Sequence, residues 1–86
     1  MYIKLEQYKI FNEAATTLSF SIAARNLFIS QSAVSQTISS IEKELQTQLF
    51  IRHSKGVSLT KEGKLLHQQI DKAVAIITSV ENQISN

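Results

Sequence analysis

The chain has 86 residues, of which 43% are hydrophobic, and its formal net charge at pH 7 is +2. This length fits one small domain rather than a multidomain enzyme, and the hydrophobic content is too high for a disordered chain. With two histidines and no cysteine, disulfides are excluded and a structural zinc site is excluded in practice, so we expect no metal or other cofactor. A domain this small commonly gains stability by associating with another chain.

The residues that break helices are scarce, because the chain has two glycines and no proline. This composition favours a mostly helical fold with few turns. The longest uninterrupted apolar run covers residues 73–77, far too short for a membrane span, and the first twelve residues lack a signal-peptide core. We therefore expect a cytoplasmic protein without a membrane partner.

Two short helices are predicted first along the chain. Residues 4–16 place apolar side chains three or four positions apart, from Leu5 to Ala15, which is typical of an amphipathic helix. Ser19 is suited to cap the N-terminus of a second helix over residues 20–27. Two adjacent alanines in that helix predict a close approach by another helix.

A third helix is predicted over residues 31–45, with Ser30 as its N-cap. It has two distinct faces. The apolar face consists of Val34, Ile38, Ile41 and Leu45. The opposite face consists of Gln31, Ser32, Ser35, Gln36 and Ser39. A solvated helix face normally carries Glu and Lys, so a face of serine and glutamine indicates a specific role, although an uncharged surface without a function remains the alternative.

Short β-prone runs at residues 49–53 and 57–59 predict a small hairpin, which must pack on the helices to be stable. The positive charge of the chain is concentrated there. Residues 52–64 carry four basic side chains against one acidic side chain, for a sum of +3, whereas residues 1–51 sum to zero. Such a cluster is compatible with an anionic polymer as partner.

A long final helix is predicted after Thr60, which would cap it. Its apolar positions recur at intervals of four and three, as in the seam of a two-stranded coiled coil. The predicted seam consists of Leu66, Ile70, Ala73, Ile77, Val80 and Ile84. The alternative is that this stripe packs on its own domain. We favour dimerisation because little sequence remains to cover the stripe.

Two helices joined by a three-residue turn and followed by a basic hairpin have the pattern of a winged helix-turn-helix. Its second helix can enter the major groove of B-DNA, where Gln can pair with adenine and Ser can donate or accept a hydrogen bond. Basic residues of the hairpin, Arg52, Lys55 and His53, would then hold the DNA backbone or the adjacent minor groove.

The sequence also resembles the N-terminal DNA-binding domain of the LysR-type transcriptional regulators of bacteria. The resemblance covers nearly the whole chain in order and spacing. Its most specific segments are residues 30–35, 49–52 and 59–63. The other matching residues are Leu5, Phe11, residues 19–21, Ala23, Ala24, Leu27, Ile38, Glu42 and Leu45. It implies a mostly α fold, with a winged helix-turn-helix domain at residues 1–60 and a dimerising linker helix at 61–86. The implied function is sequence-specific binding of double-stranded DNA to regulate transcription.

The resemblance also implies roles for individual residues and partners. The base-reading positions are Gln31, Ser32, Ser35 and Gln36. The positions that contact the DNA backbone are Ser21, Ser30, Ser39, Arg52, His53 and Lys55. The expected partner is an interrupted inverted repeat bound by a homodimer, which could form a tetramer in the full-length protein. A small-molecule effector would act only through a C-terminal domain that this sequence does not contain.

Several positions depart from the family pattern. Gln46 stands where glycine is usual after the recognition helix, so a left-handed turn there is more costly or differently shaped. Ser32 and Gln48 replace frequent prolines, whereas Gln36 and Ile22 replace frequent basic residues. Fewer guanidinium contacts to guanine imply weaker binding and a site richer in A·T pairs.

Two other classes of function compete with this one. A helical module that dimerises and binds protein rather than DNA remains the alternative, and its binding would depend little on salt. An enzyme is not expected, because His53 and His67 lie in different predicted elements and no paired carboxylates share one helix face.

Overall fold

A computed structural model describes residues 3–85. The fold is mostly helical with one two-stranded antiparallel sheet, which confirms the predicted class. The elements in chain order are α1 (Leu5–Thr17), α2 (Phe20–Leu27), α3 (Gln31–Leu45), β1 (Phe50–His53), β2 (Gly56–Leu59) and α4 (Lys61–Ser85). No helix within this described part of the chain is long and apolar enough to cross a membrane.

The predicted helix caps are present. In each case a hydroxyl oxygen accepts a hydrogen bond from a backbone N–H in the first turn, which satisfies a donor that has no partner within the helix. The pairs are Ser19 with Ile22 at 3.1 Å, Ser30 with Ala33 at 3.0 Å, and Thr60 with Gly63 at 3.0 Å. Hydroxyl side chains in the sequence thus define where α2, α3 and α4 begin.

The first three helices all end in the left-handed backbone conformation without using glycine. The residues are Leu18, Phe28 and Gln46, with φ of 54°, 58° and 53°. The left-handed turn expected at Gln46 is therefore formed despite the missing glycine. Its cap is a pair of backbone hydrogen bonds, from Gln46 N to Lys43 O at 3.2 Å and from Thr47 N to Glu42 O at 3.0 Å.

The wing formed by β1 and β2 is held against the turn between α1 and α2. The N–H of Val57 donates to the carbonyl oxygen of Leu18 at 3.3 Å. Gly56 has a φ of 138°, and a Cβ at this position would lie 3.0 Å from the same oxygen. Glycine therefore allows both the backbone conformation and the close approach that dock the wing on the helices.

The core lies between α1, α2, α3 and the start of the wing. Phe50 is its aromatic centre, because its ring centroid lies 5.4 Å from that of Phe11 and 5.3 Å from that of Phe20. The predicted close approach at Ala23 and Ala24 is confirmed, since both are buried where α2 packs. The remaining buried core residues are Ala14, Ala15, Val34, Ile38, Ile41, Leu49 and Ile70.

The polypeptide between α3 and the wing is fixed by Glu42. One of its carboxylate oxygens accepts from the N–H of Leu49 at 2.7 Å and from that of Phe50 at 3.1 Å. At the start of α4, Gly63 lies directly against the Leu49 carbonyl, where a Cβ would overlap that oxygen. These contacts set where the wing and the last helix leave the core.

The first positions of the predicted seam on α4 pack against the core of the same chain. Ile70 is only 7% exposed and belongs to the core of its own domain, and Leu66 is half-buried against that core. The first part of the stripe therefore packs on its own domain, as the alternative has it, and a dimer seam that includes Ile70 stays a prediction. The division at residue 60 stays a prediction, although Ile70 joins the core from beyond it.

The later part of α4 carries apolar side chains that the described residues do not cover. Of the remaining predicted seam positions, Ala73, Val80 and Ile84 are exposed and Ile77 is half-buried. Two large apolar residues outside the predicted stripe are also exposed, Leu65 at 61% and Ile76 at 65%. The exposed apolar side chains of α4 therefore lie partly on the predicted stripe and partly to one side of it, at Leu65 and Ile76. Pairing of this surface with a second chain stays a prediction.

Candidate nucleic-acid interface

The polar face of α3 lies in solvent, opposite the side chains that bury the helix. Gln31, Ser32, Gln36 and Ser39 are exposed, and Ser35 is half-buried. Val34, Ile38 and Ile41 anchor the other face and are fully buried. The helix therefore presents a row of neutral hydrogen-bonding groups on a rigid support.

The N-terminus of α3 is organised by its serines. The oxygen of Ser30 accepts the Ala33 N–H, and its hydroxyl also shares a 3.2 Å hydrogen bond with that of Ser32. Ser30 therefore has a structural role as the N-cap of α3. Both hydroxyls are exposed, so they remain accessible to a ligand at this helix end.

Arg52 joins the wing to α3. Its Nη1 donates to Oγ of Ser35 at 3.1 Å, and its Cζ lies 4.9 Å from the ring centroid of Phe20. A guanidinium over an aromatic face gains a cation–π contact. The side chain is nevertheless exposed, so its other N–H groups can reach an anion.

A cleft of about 340 Å³ separates the start of α2, the start of α3 and the wing. Its lining combines hydroxyl, amide and cationic side chains. The predicted site residues in it are Ser21, Gln31, Arg52, His53 and Lys55, and the other lining residues are Ser19, Phe20, Ser54, Gly56 and Val57. Residues from three elements thus form one concave, positively charged surface.

The wing carries its basic side chains in two different settings. His53 in β1 shares a 2.8 Å hydrogen bond between its Nε2 and Oγ of Ser58 in β2, which holds the ring along the hairpin. Lys55 lies at the exposed tip between the strands. The hairpin therefore presents one held ring and one cation that extends into solvent.

The predicted site residues fall into two groups. The five that line the cleft come together as described. Ser30, Ser32, Ser35, Gln36 and Ser39 lie outside the cleft lining and form the neighbouring surface of α3. The bond from Arg52 to Ser35 connects the two groups.

Phe20 is the functional residue that sequence reasoning missed. The sequence placed it in a helix and in a segment that carries the resemblance, but assigned it no role, whereas its ring both packs on Phe50 in the core and supports Arg52 at the surface. An aromatic residue directly after a helix cap was the available signal. Its pairing with Arg52, distant in sequence, depends on the tertiary fold.

Within residues 3–85, no group of three or more His, Asp or Glu side chains is arranged to hold a metal ion. The available groups are hydroxyls, amides and cations around an open cleft. Such groups suit phosphate oxygens and base edges.

Comparisons with known proteins agree with this geometry. Residues 5–64 match the family model described as bacterial regulatory helix-turn-helix protein, lysR family. The activator AmpR of Citrobacter freundii is 46% identical over 65 residues, covering 76% of this chain and 22% of AmpR. The regulator DsdC of Escherichia coli K12 is 39% identical over 84 residues, covering 93% of this chain and 27% of DsdC.

Solved structures give the same result. The DNA-binding domain of BenM, in complex with catB site 1 DNA, matches with a TM-score of 0.90 and 29% identity, covering 96% of this chain and 92% of that one. An OxyR mutant of Corynebacterium glutamicum matches with a TM-score of 0.89 and 27% identity, covering 99% of this chain and 26% of that one.

The fold and the surface together define a winged helix-turn-helix DNA-binding domain. The chain belongs to the LysR family of bacterial regulatory helix-turn-helix proteins, as the family match over more than two thirds of its length shows. It spans about a quarter of the length of the curated relatives it matches.

Proposed function

We propose that the protein regulates transcription by binding double-stranded DNA with α3 in the major groove. The observation that carries the proposal is the exposed, uncharged face of α3 directly beside a basic cleft. The major groove admits a helix and displays donors and acceptors that Ser and Gln side chains can match. Gln31, Ser32, Ser35 and Gln36 are the proposed base readers.

The cleft beside α3 would hold the DNA backbone. Ser21, Arg52 and Lys55 all line it. Hydroxyl and cationic groups of this kind bind phosphate oxygens and set the position of a protein on the duplex. Ser39, further along α3, and His53 in the wing are proposed as additional backbone contacts.

The protein is proposed to bind as a homodimer through α4, because this helix exposes apolar side chains that a second copy could cover. A dimer would favour an interrupted inverted repeat with half-sites about one helical turn, or a multiple of it, apart. Substitution of the usual basic residue by Gln36 would favour A·T pairs at its contact. A protein with these activities would act on the chromosome, in the cytoplasm.

We propose that the full-length protein is a transcriptional regulator, as its relatives are described to be. AmpR is described as a transcriptional activator and DsdC as a transcriptional regulator. A C-terminal domain outside this sequence would bind the small-molecule effector and support any tetramer.

Selection from a random duplex pool, followed by footprinting of the bound sequences, tests the proposal. The expected result is an inverted repeat protected over both half-sites.

Gln36→Ala should relax the preference at one position of each half-site, by about 1–3 kcal/mol where a bidentate contact is lost. Lys55→Ala should weaken all sequences alike and lower the salt slope by roughly one. Absence of binding to every duplex at low salt would refute the proposal and favour a protein-interaction module.

A further inference from the structure

The position of Arg52 is set by the core rather than by the surface. Phe20 packs edge-on against Phe50, with an angle of 88° between the ring planes, and Phe50 in turn packs against Phe11. The guanidinium carbon of Arg52 lies 4.9 Å from the Phe20 ring. Because core packing holds the Phe20 ring in place, the guanidinium above that ring is preorganised.

The hydrogen bond from Arg52 also fixes the chemical role of the Ser35 hydroxyl. A guanidinium has no acceptor, so Ser35 must be the acceptor in the 3.1 Å contact between Nη1 and Oγ. Its own O–H then remains available to donate. Donation from a cation polarises the hydroxyl, which strengthens it as a donor and weakens its remaining lone pair as an acceptor.

We infer that Arg52 is a positioning residue that makes Ser35 read a hydrogen-bond acceptor on a base edge. In the major groove these acceptors are purine N7, guanine O6 and thymine O4, whereas the amino groups of adenine and cytosine are donors. Without Arg52 a serine hydroxyl serves either kind of group. This inference rests on the proposed function, since it assumes that α3 lies in the major groove.

The test compares base preferences across four single variants of the chain and the double variant Ser35→Ala/Arg52→Met. Ser35→Ala removes the hydroxyl, and Ser35→Thr retains it. Arg52→Met keeps an unbranched stem over Phe20 but removes the donor and the charge. Lys55→Met is the matched control. Like Arg52→Met it removes one positive charge from the wing, but the described hydrogen bond to Ser35 comes from Arg52 and not from Lys55. Each variant is equilibrated with a random duplex pool, and the bound sequences give the preference at every base pair.

The wild type is expected to prefer an acceptor at one base pair of each half-site. Ser35→Ala and Arg52→Met should both reduce that preference, by about threefold to tenfold, as expected for the loss of one hydrogen bond. Ser35→Thr should retain it. Lys55→Met should lower the affinity and the salt slope about as much as Arg52→Met, while leaving the base preferences unchanged. The double variant Ser35→Ala/Arg52→Met should lose no more of the preference at that base pair than Ser35→Ala alone.

Two results would overturn the inference while leaving DNA binding intact. If Ser35→Ala leaves all preferences unchanged, Ser35 is not a reader. If Arg52→Met leaves the Ser35-dependent preference intact, or alters a different base pair, Arg52 does not act through Ser35. A wild-type protein that binds no duplex would instead refute the proposed function, and the inference with it.

Discussion

Asn12 in α1 and His67 in α4 are hydrogen-bonded, with 2.7 Å between Oδ1 of Asn12 and Nδ1 of His67. Nδ2 of Asn12 donates to Oδ1 of Asp71, one turn further along α4, at 3.1 Å. Because the amide nitrogen of Asn12 is directed to the Asp71 carboxylate, the amide oxygen of Asn12 faces His67. An amide oxygen can only accept, so Nδ1 of His67 must carry the donated proton. His67 thus belongs to a bridge between two helices.

Replacing His67 by Ala should loosen α4 from α1. The change removes one hydrogen bond and leaves the Asn12 oxygen without that partner, so the free energy of unfolding should fall by about 0.5–1.5 kcal/mol. Urea denaturation measures the difference. Gln68→Ala, at an exposed position of the same helix, is the control for the change in helix propensity. Equal midpoints for the two variants would show that the bridge adds no stability.

Glu42 should be one of the most sensitive polar positions in the chain. Glu42→Ala removes the acceptor of the Leu49 and Phe50 N–H groups, and both of these residues are almost fully buried. Each unsatisfied donor costs about 1–3 kcal/mol, so the domain should be strongly destabilised. Glu42→Gln, which keeps an acceptor oxygen, should recover part of the loss in thermal unfolding. A Gln variant as unstable as the Ala variant would argue against this hydrogen-bonding role.

Gln46→Gly should stabilise the domain, because Gln46 has a φ of 53° and glycine adopts this conformation without steric cost. After allowance for the greater entropy of the unfolded glycine chain, the net gain should be about 0.5–1 kcal/mol. Gln48→Gly is the matched control, since Gln48 is not among the residues with positive φ. It should lower the stability instead. A loss of stability in both variants would contradict the argument.

Local features of the fold could be predicted from the sequence, whereas contacts between distant elements could not. Ser19, Ser30 and Thr60 define helix starts through residues only three positions away, and this information is contained in a short segment. The bonds from Arg52 to Ser35 and from His67 to Asn12 span 17 and 55 positions, so they depend on how the elements pack.

The α4 stripe shows why periodicity alone was insufficient. Helical spacing identifies which positions share a face, but it does not specify which partner covers that face. Ile70 has the spacing of a coiled-coil position and is nevertheless buried in its own domain. The exposure of Leu65 and Ile76, to one side of the predicted stripe, follows from the contacts of α4 with the core.

Charges placed on the two sides of α4 should therefore have different effects. Ile76→Asp combined with Val80→Asp changes exposed positions, so the domain should remain folded while the proposed dimer dissociates. Ile70→Asp would place a carboxylate in the core and should unfold the domain, because an unpaired buried charge is strongly destabilising. Sedimentation equilibrium measures the association, and far-UV circular dichroism measures the folding. An intact dimer in the Ile76/Val80 variant would mean that the two chains associate through another surface. A folded Ile70→Asp variant would contradict the burial of that side chain.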